Sequence, residues 1–285
     1  MIDLHLHTNA SDGLCSPENL VHRAAAAGIS ALSVTDHDTM AGVAAARSAA
    51  RALDLAFVPG IEITAVEAGR DVHVLGYFLD EDAAPLRHLL AAQRQHRVER
   101  AREIAARLDR AGAPIDVDAL LGAAAARGGT VARPQVAAAL VSAAHAASIA
   151  DAFDRFLDEG CVAYVPHAGA SAAEVVRTIV MCGGVASLAH PGETRRDDLL
   201  PSLVEAGLGA LEAVHSAHDE ATRARYLELA AAYGLGVSGG SDYHGEGRRR
   251  SEFLGRVGLG RVQFAAFCAR AQRAAAYAGW AGEAV

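Results

Sequence analysis

Residues 2–13, IDLHLHTNASDG, open the chain with a strand-like apolar run that carries two histidines. His5 and His7 are two residues apart, and side chains at positions i and i+2 of a strand point to the same face. Asp12 and a glycine follow directly after the run. The first predicted strand therefore presents two imidazoles on one face and a carboxylate just beyond its end, which is a combination of ligands that divalent metals accept.

Short apolar runs of this kind alternate with alanine-rich helical patterns along most of the chain. Alternating strands and helices favour parallel pairing in a barrel or a doubly wound sheet, so we expect an α/β fold. Seven strands are predicted, and they lie within residues 2–7, 31–38, 56–65, 71–78, 185–192, 208–215 and 236–245. A last helix is predicted from about Gln263 to Ala278.

The alternation of strand and helix patterns stops between residues 82 and 166. A long, charged, periodic helical pattern is followed there by shorter helical patterns, and no convincing buried strand appears. We interpret residues 82–166 as a helical insertion, a candidate lid, between a first barrel part at 1–81 and a second at 167–285.

Composition narrows the class of protein. The 285 residues are 52% hydrophobic with a formal net charge of −8, which suits one large acidic α/β domain and is unlike a nucleic-acid-coating protein. Four scattered cysteines form no C-x-x-C motif, which argues against a zinc ribbon. No run is long enough to span a bilayer, and the first residues lack the features of a signal peptide. We therefore expect a cytoplasmic protein with no membrane contact and no obligate protein partner.

Every predicted strand carries or ends in an ionisable side chain that a metal can bind. A lone histidine in a strand is usually an ordinary core residue, but the recurrence at successive strands is hard to obtain by chance. Active sites of barrel enzymes gather where the strands end. Imidazoles and carboxylates together suit zinc, manganese or iron. The residues are His5, His7, Asp36, His37, Asp38, Glu62, His73, His190, Glu212, His215, Asp242 and His244.

The sequence resembles the PHP (polymerase and histidinol phosphatase) superfamily, and in particular its stand-alone metal-dependent phosphoesterases. The matching motifs are DLHLHTNASDG (3–13), VTDHDT (34–39), PGIEIT (59–64), HVLGYF (73–78), LAHPG (188–192), LEAVHSAH (211–218) and GSDYHG (240–245). The resemblance implies a distorted (β/α)7 barrel, similar to a TIM barrel, with two or three divalent ions, Mn²⁺, Zn²⁺ or Fe²⁺.

The resemblance also implies three groups of metal ligands. His5, His7, Glu62 and Asp242 would hold one ion, and a bridging Glu62 with His73 and His190 a second. Asp12, His37 and His244 would hold a third. We expect a metal-bridging hydroxide to attack phosphorus, with Asp12, His37, Glu62 and Asp242 essential for turnover. We also expect Asp36 to orient the histidines and Asp38 to orient them or to cap the following helix.

Substrate contacts are expected from the insertion and from the sixth strand. Arg133 is suited to bind a phosphate bidentately. Related phosphoesterases commonly have a histidine two residues after this arginine, but Gln135 stands here and brings no positive charge. His218 matches a position associated with the substrate phosphate or with protonation of the leaving group. An arginine run, Arg248–Arg250, follows the last motif and could attract an anionic substrate or simply be solvated.

The predicted function is hydrolysis of phosphate monoesters of small molecules, with nucleoside monophosphates or 3′,5′-bisphosphonucleotides as the expected substrates. A 5′–3′ exonuclease acting on short RNA or DNA oligonucleotides and a histidinol phosphate phosphatase are alternatives. Another class is an amidohydrolase-type C–N hydrolase, which shares the H-x-H motif. The chain contains no lysine, so a carbamylated lysine bridge of that class is impossible. A non-catalytic metal-binding module is the remaining alternative.

Overall fold

The computed structural model describes residues 1–126, 129 and 131–271. Its seven strands form one mixed sheet in the order β1 to β7. The strands are β1 (Ile2–Asp3), β2 (Ala31–Val34), β3 (Ala56–Glu67), β4 (Arg70–Tyr77), β5 (Val185–Leu188), β6 (Ala210–His215) and β7 (Gly236–Gly240).

The sheet curls into a nearly closed barrel, as the resemblance implies. Asp242 N–H donates to the carbonyl of His5 at 2.9 Å, and His7 N–H donates to that of Tyr243 at 3.0 Å. The segment after β7 therefore runs beside the segment after β1. Gly240 is required at this seam, because a Cβ there would lie 2.4 Å from the backbone nitrogen of His5.

Pairing differs from the all-parallel expectation around β4. Strand β3 pairs with β4 antiparallel, and β4 pairs with β5 antiparallel, whereas the other neighbours are parallel. The reason is the connection between β3 and β4, which is only Ala68 and Gly69. Both residues have positive φ, 53° and 78°, which is the backbone of a tight hairpin turn. The consequence is that Thr64 near the end of β3 lies opposite His73 near the start of β4.

Helices cover the outside of the barrel. Ser16 caps α1, where its side chain accepts from Asn19 N–H at 3.3 Å, and Gly28 with φ 78° follows its end, as predicted. The helices of the described residues are α1 (Pro17–Ala26), α2 (Val43–Ala52), α3 (Ala84–Arg110), α4 (Val117–Ala126), α5 (Arg133–Ser142), α6 (Ile149–Ala152), α7 (Ala172–Met181), α8 (Pro191–Thr194), α9 (Leu200–Glu205), α10 (Glu220–Ala232) and α11 (Arg261–Cys268). A π-helical turn, Phe153–Leu157, continues α6, and 3-10 turns occupy Asp197–Leu199 and Ser251–Phe253.

The segment between β4 and α7 is helical in the described residues and includes α3 to α6. It packs around its own apolar cluster, which contains Ile104, Leu108, Val136 and Leu140. The barrel core is separate and includes Ile61, Val74 and Val176. The domain boundaries at 82 and 166 stay our interpretation. The predicted last helix corresponds to α11 up to Cys268, and its part beyond residue 271 lies outside the described residues.

No helix in the described part of the chain is both long enough and apolar enough to cross a bilayer.

Candidate metal centre

The predicted ligands meet at one end of the barrel. Strands β1, β2, β5 and β7 deliver their residues just after they end, because parallel strands bring their carboxyl ends to one edge. His73 reaches the same place from the start of β4, since that strand runs antiparallel to β3. The structure therefore brings together all nine residues that sequence analysis assigned to metals, and their division among separate ions stays a prediction.

Glu62 lies at the centre of this cluster. It is 1% exposed, and each of its carboxylate oxygens faces several imidazoles. Oε2 lies 3.2 Å from His5 Nε2, 3.3 Å from His7 Nε2 and 3.3 Å from His37 Nδ1. Oε1 lies 2.9 Å from His73 Nδ1 and 3.1 Å from His190 Nε2. One carboxylate with two sets of imidazole neighbours has the arrangement that a bridging ligand needs.

Asp242 and Asp12 complete the cluster on either side. Asp242 Oδ1 lies 3.2 Å from His7 Nε2 and 3.4 Å from His5 Nε2. Asp12 Oδ1 lies 3.3 Å from His244 Nε2, and Asp12 Oδ2 lies 3.9 Å from His37 Nε2. Potential ligand atoms lie within 4.8 Å of one another in groups that include His7, Asp12, His37 and His244, or His5, His7 and Asp242, or His37, Glu62 and His73.

The environment of His7 indicates whether the cluster fits metal ions. Its side chain is completely buried, and neither ring nitrogen makes a hydrogen bond within the described residues. Burying an unsatisfied polar atom costs about 1–3 kcal/mol. Metal coordination satisfies a ring nitrogen, and carboxylates on both sides supply compensating negative charge. The residues therefore fit divalent ions, and imidazole with carboxylate suits zinc, manganese or iron without selecting among them.

Electrostatics prepare the side chains for coordination. Burial and the neighbouring His7 and His73 lower the pKa of His37 to about 3, against the opposing effect of Glu62 and Asp12. The neutral imidazole is the form that binds metal. Burial alone would raise the pKa of Glu62, but the imidazoles of His37, His73 and His5 hold it well below its usual range.

Glu212 supports the cluster from behind, a role that sequence analysis did not assign. Its Oε1 lies 2.8 Å from His5 Nδ1, and its Oε2 accepts from His190 N–H at 2.7 Å. Such a carboxylate fixes which ring nitrogen of a ligand faces the metal. The sequence could have indicated this role, because Glu212 lies within an apolar predicted strand and a carboxylate buried there needs a partner.

Three residues that follow strands at the cluster have left-handed backbone conformations. His190 after β5 has φ 25°, Asp242 after β7 has φ 55°, and Asp38 after β2 has φ 53°. Each such residue costs of order 1 kcal/mol or more unless its surroundings hold it in place. Hydrogen bonds at each residue supply that support: His190 N–H donates to Glu212, Asp242 N–H donates to the carbonyl of His5, and Asp38 accepts from Thr64 N–H.

Asp36 and Asp38 anchor backbone near the cluster in ways that differ from the expectations. Asp36 accepts from Thr8 N–H at 2.7 Å and from the Ser11 hydroxyl at 2.7 Å, so it fixes the loop that carries Asp12. Asp38 accepts from Thr64 N–H at 2.9 Å and from Arg97 Nε at 2.7 Å, and it therefore ties β3 to α3.

Arg133 lies beside the cluster, and its predicted contact with phosphate stays a prediction. It lines a cleft between barrel and insertion together with Asp12, His37 and His73, and its guanidinium lies 5.8 Å from the centre of the Phe153 ring. Gln135 has a different environment, since its Oε1 accepts from Ala132 N–H at 2.9 Å and its Nε2 donates to Ser11 O at 3.1 Å. Its amide thus caps α5 and links the insertion to the Asp12 loop.

Both ring nitrogens of His218 meet backbone groups. Nδ1 lies 3.1 Å from Ala213 O, and Nε2 accepts from Gly192 N–H at 3.1 Å. The ring also stacks on Tyr226 at 5.4 Å. The ring therefore ties α8 to β6, and a substrate role for His218 stays a prediction.

The three arginines after β7 are not equivalent. Arg248 and Arg249 are exposed, whereas the Arg250 side chain is 10% exposed and forms ion pairs with Asp242 and, at 2.6 Å, with Glu193. Arg250 therefore contacts a predicted metal ligand directly, which a run of three arginines in the sequence did not reveal.

Comparison with known proteins places these features in a family. The PHP domain model matches residues 3–159. Phosphoribosyl 1,2-cyclic phosphate 1,2-diphosphodiesterase of Eggerthella lenta is 38% identical over 86% of this chain and 94% of its own length. A 5′-3′ exoribonuclease of Salmonella typhimurium is 36% identical over 85% of this chain and 84% of its own.

Two further matches extend the comparison. The 3′,5′-nucleoside bisphosphate phosphatase of Chromobacterium violaceum is 33% identical over 87% of this chain and 89% of its own. Among solved structures, a metal-dependent phosphoesterase described from Bifidobacterium adolescentis superposes with a TM-score of 0.85 at 32% identity, covering 95% of this chain and 96% of that one.

Proposed function

The chain belongs to the PHP family of metal-dependent phosphoesterases, and from that membership we propose that its substrates are small phosphorylated nucleotides. A nucleoside monophosphate or a 3′,5′-bisphosphonucleotide fits best. The observation that carries the proposal is the convergence of nine imidazole and carboxylate side chains, with Glu62 at their centre, beside a cleft that Arg133 lines. The relative named as a nucleoside bisphosphate phosphatase agrees with this class, and the relative named for a cyclic sugar phosphate agrees with hydrolysis of a small phosphate ester.

We propose the division of ligands among three ions that the family resemblance implies. His5, His7, Glu62 and Asp242 would hold one ion, Glu62 with His73 and His190 a second, and Asp12 with His37 and His244 a third. Divalent ions supply neutralisation of the phosphate charge and activation of water at neutral pH. Arg133 would bind the anionic end of the substrate, and Phe153 beneath its guanidinium limits where that charge can move.

A second candidate, 5′–3′ hydrolysis of short oligonucleotides, has one observation in its favour. The cleft beside the cluster continues past Asp71, Arg100 and Arg133 into a groove that Glu159 and Tyr164 line. Guanidinium groups with an aromatic ring beyond them suit the next phosphate and base of a longer chain. The exoribonuclease relative agrees with this alternative.

A substrate panel separates the candidates. We would compare kcat/KM for adenosine 5′-monophosphate, adenosine 3′,5′-bisphosphate, a 5′-phosphorylated trinucleotide, histidinol phosphate and an aryl phosphate, with metal content measured on the same sample. The proposal expects the mononucleotides to give the highest values. A trinucleotide that is hydrolysed faster than both mononucleotides would replace it with the exonuclease. Absence of hydrolysis of every ester in the panel would favour a non-catalytic module.

A further inference from the structure

His167 is a buried histidine that belongs to the cleft but not to the predicted metal ligands. Its side chain is 3% exposed, and it lines the same cleft as Asp12, His37 and His73. It lies in the segment that joins the insertion to α7, so a part of the chain outside the barrel strands brings it to the cleft.

Asp71 holds the ring of His167. His167 Nδ1 lies 2.8 Å from Asp71 Oδ1, so the carboxylate accepts a hydrogen bond from Nδ1–H, and Nε2 is the nitrogen that a substrate can meet. Asp71 precedes the predicted ligand His73 by two residues on β4, so both side chains are on the same face of the strand. Two residues along a strand span roughly 7 Å. The His167 ring is therefore held within the reach of an ester bound at the cluster.

The segment around His167 is fixed on both sides. Arg100 Nε on α3 donates to Val165 O at 2.9 Å. On the other side, Val66 N–H on β3 donates to Ala170 O at 2.9 Å, and Ala172 N–H donates to Glu67 Oε1 at 2.8 Å. Bonds of this kind before and after the histidine position its ring before any substrate binds, which is a requirement for effective proton transfer.

Hydrolysis of a sugar phosphate leaves an alkoxide that needs a proton. Hydrogen bonds to Ala213 O and Gly192 N–H already engage both nitrogens of His218, whereas the bond of His167 to Asp71 uses Nδ1 alone. We propose that His167 is a catalytic residue of this phosphoesterase, whose Nε2–H donates the proton to the leaving ester oxygen while Asp71 positions the ring. The assignment rests on the proposed function, because it requires an ester bound at the cluster.

The step balances as follows. The bond between phosphorus and the ester oxygen breaks, a bond between phosphorus and the oxygen of water forms, and the water releases one proton to solvent. The ester oxygen takes the proton from Nε2 and leaves as an alcohol, and the imidazole regains a proton from solvent. Asp71 keeps its negative charge throughout. Arg100 and Arg133, which line the same cleft, neutralise the phosphate and transfer no proton.

The dependence on the leaving group tests this role. We would measure kcat and KM of H167N, H167Q and D71N for adenosine 3′,5′-bisphosphate and for 4-nitrophenyl phosphate, whose leaving oxygen needs no proton. We expect H167N and H167Q to lower kcat for the nucleotide by about 10²–10³-fold and for the aryl ester by less than about 10-fold. D71N should show the same selectivity with a smaller loss. His88→Asn, which removes an exposed imidazole of α3, is the matched control.

Metal content and melting temperature of each variant show whether the cluster and the fold are intact. Equal losses on the two esters, or no loss on the nucleotide, would overturn the role of His167 and leave the proposed function standing. If H167N does not fold, H167Q and D71N must show the selective loss, and they overturn the assignment if they do not. A wild-type protein that hydrolyses neither ester overturns the proposed function, and the proton transfer with it.

Discussion

The Nδ1 atom of His5 lies 2.8 Å from Glu212 Oε1, so a carboxylate on β6 orients the imidazole that the chain delivers just after β1. The same carboxylate accepts from the backbone N–H of His190. Burial would raise the pKa of Glu212, but His5 and His215 lower it to about 2, so the group stays an acceptor at neutral pH. Glu212 therefore orients the ring of His5 and holds the backbone of His190 without being one of the nine predicted ligands.

Glu212→Gln should weaken metal binding by about 10–100-fold. His5 and His190 bond to different oxygens of the carboxylate, and an amide replaces one of these oxygens with an NH2 group that cannot accept. Competition with a chelator of known affinity measures the metal affinity, and the melting temperature shows whether the barrel is intact. Glu228→Gln, on the exposed side of α10, is the control. Unchanged affinity would mean that Glu212 only fills space in the barrel.

Glu62→Gln should abolish the bridging arrangement and reduce turnover by about 10³-fold or more, since several kcal/mol of transition-state stabilisation depend on correctly held ions. The bound metal per chain should also fall, as element analysis of the purified protein will show. Wild-type turnover in this variant is incompatible with a central role for Glu62. Asp242→Ala and His37→Ala should likewise be inactive.

Removing the metal should destabilise the fold. A ligand present at 100 times its dissociation constant stabilises a protein by about 2.7 kcal/mol. For a chain of this size that corresponds to a decrease in melting temperature of about 5–10 °C after treatment with a chelator. Added Mn²⁺ should restore the original value. The Glu62→Gln variant should respond less to the chelator, and an identical response would place the stabilising ion elsewhere.

Metal affinity should rise between pH 6 and pH 8. Burial opposes protonation of His5, but Glu212 and Glu62 raise its pKa to about 10, so the metal-free protein keeps this proton at neutral pH. An ion that binds His5 must displace the proton, so binding strengthens as protons become scarcer. Calorimetric titrations near pH 7 in buffers of different ionisation enthalpy should detect proton release. Zero net release would contradict this state of His5.

Arg250→Ala should lower metal affinity and turnover by about 10-fold, because the Asp242 and Glu193 carboxylates lose the guanidinium that positions them. Arg248→Ala is the matched control, since that side chain is exposed and 10-fold effects are not expected from a solvated charge. Equal effects of the two substitutions would mean that both arginines attract anions in general. In that case KM would rise in both variants, and the rise would depend on salt concentration.

Much of the fold and of the candidate site could be predicted from sequence. Local properties of the chain indicate the strand-like runs, their alternation with helices and the helical nature of residues 82–166. The family motifs implied that the strands form a barrel. The antiparallel placement of β4 depends on a hairpin of two residues, Ala68 and Gly69. The alternation of strands and helices along the chain does not indicate this reversal of strand direction.

The sequence by itself determined which residue types could bind metal, because imidazoles and carboxylates recur at successive strands and motifs of the family fix their order. Only the tertiary structure decided which atoms meet. Glu212 reaches His5 across 207 residues, and Asp71 reaches His167 across 96. Periodicity describes neighbours along one element, whereas these partners are set by how the barrel closes and how the insertion returns to it. Long-range pairing is therefore the property that separates Glu212 from an ordinary buried carboxylate, and the proposed role of His167 depends on it as well.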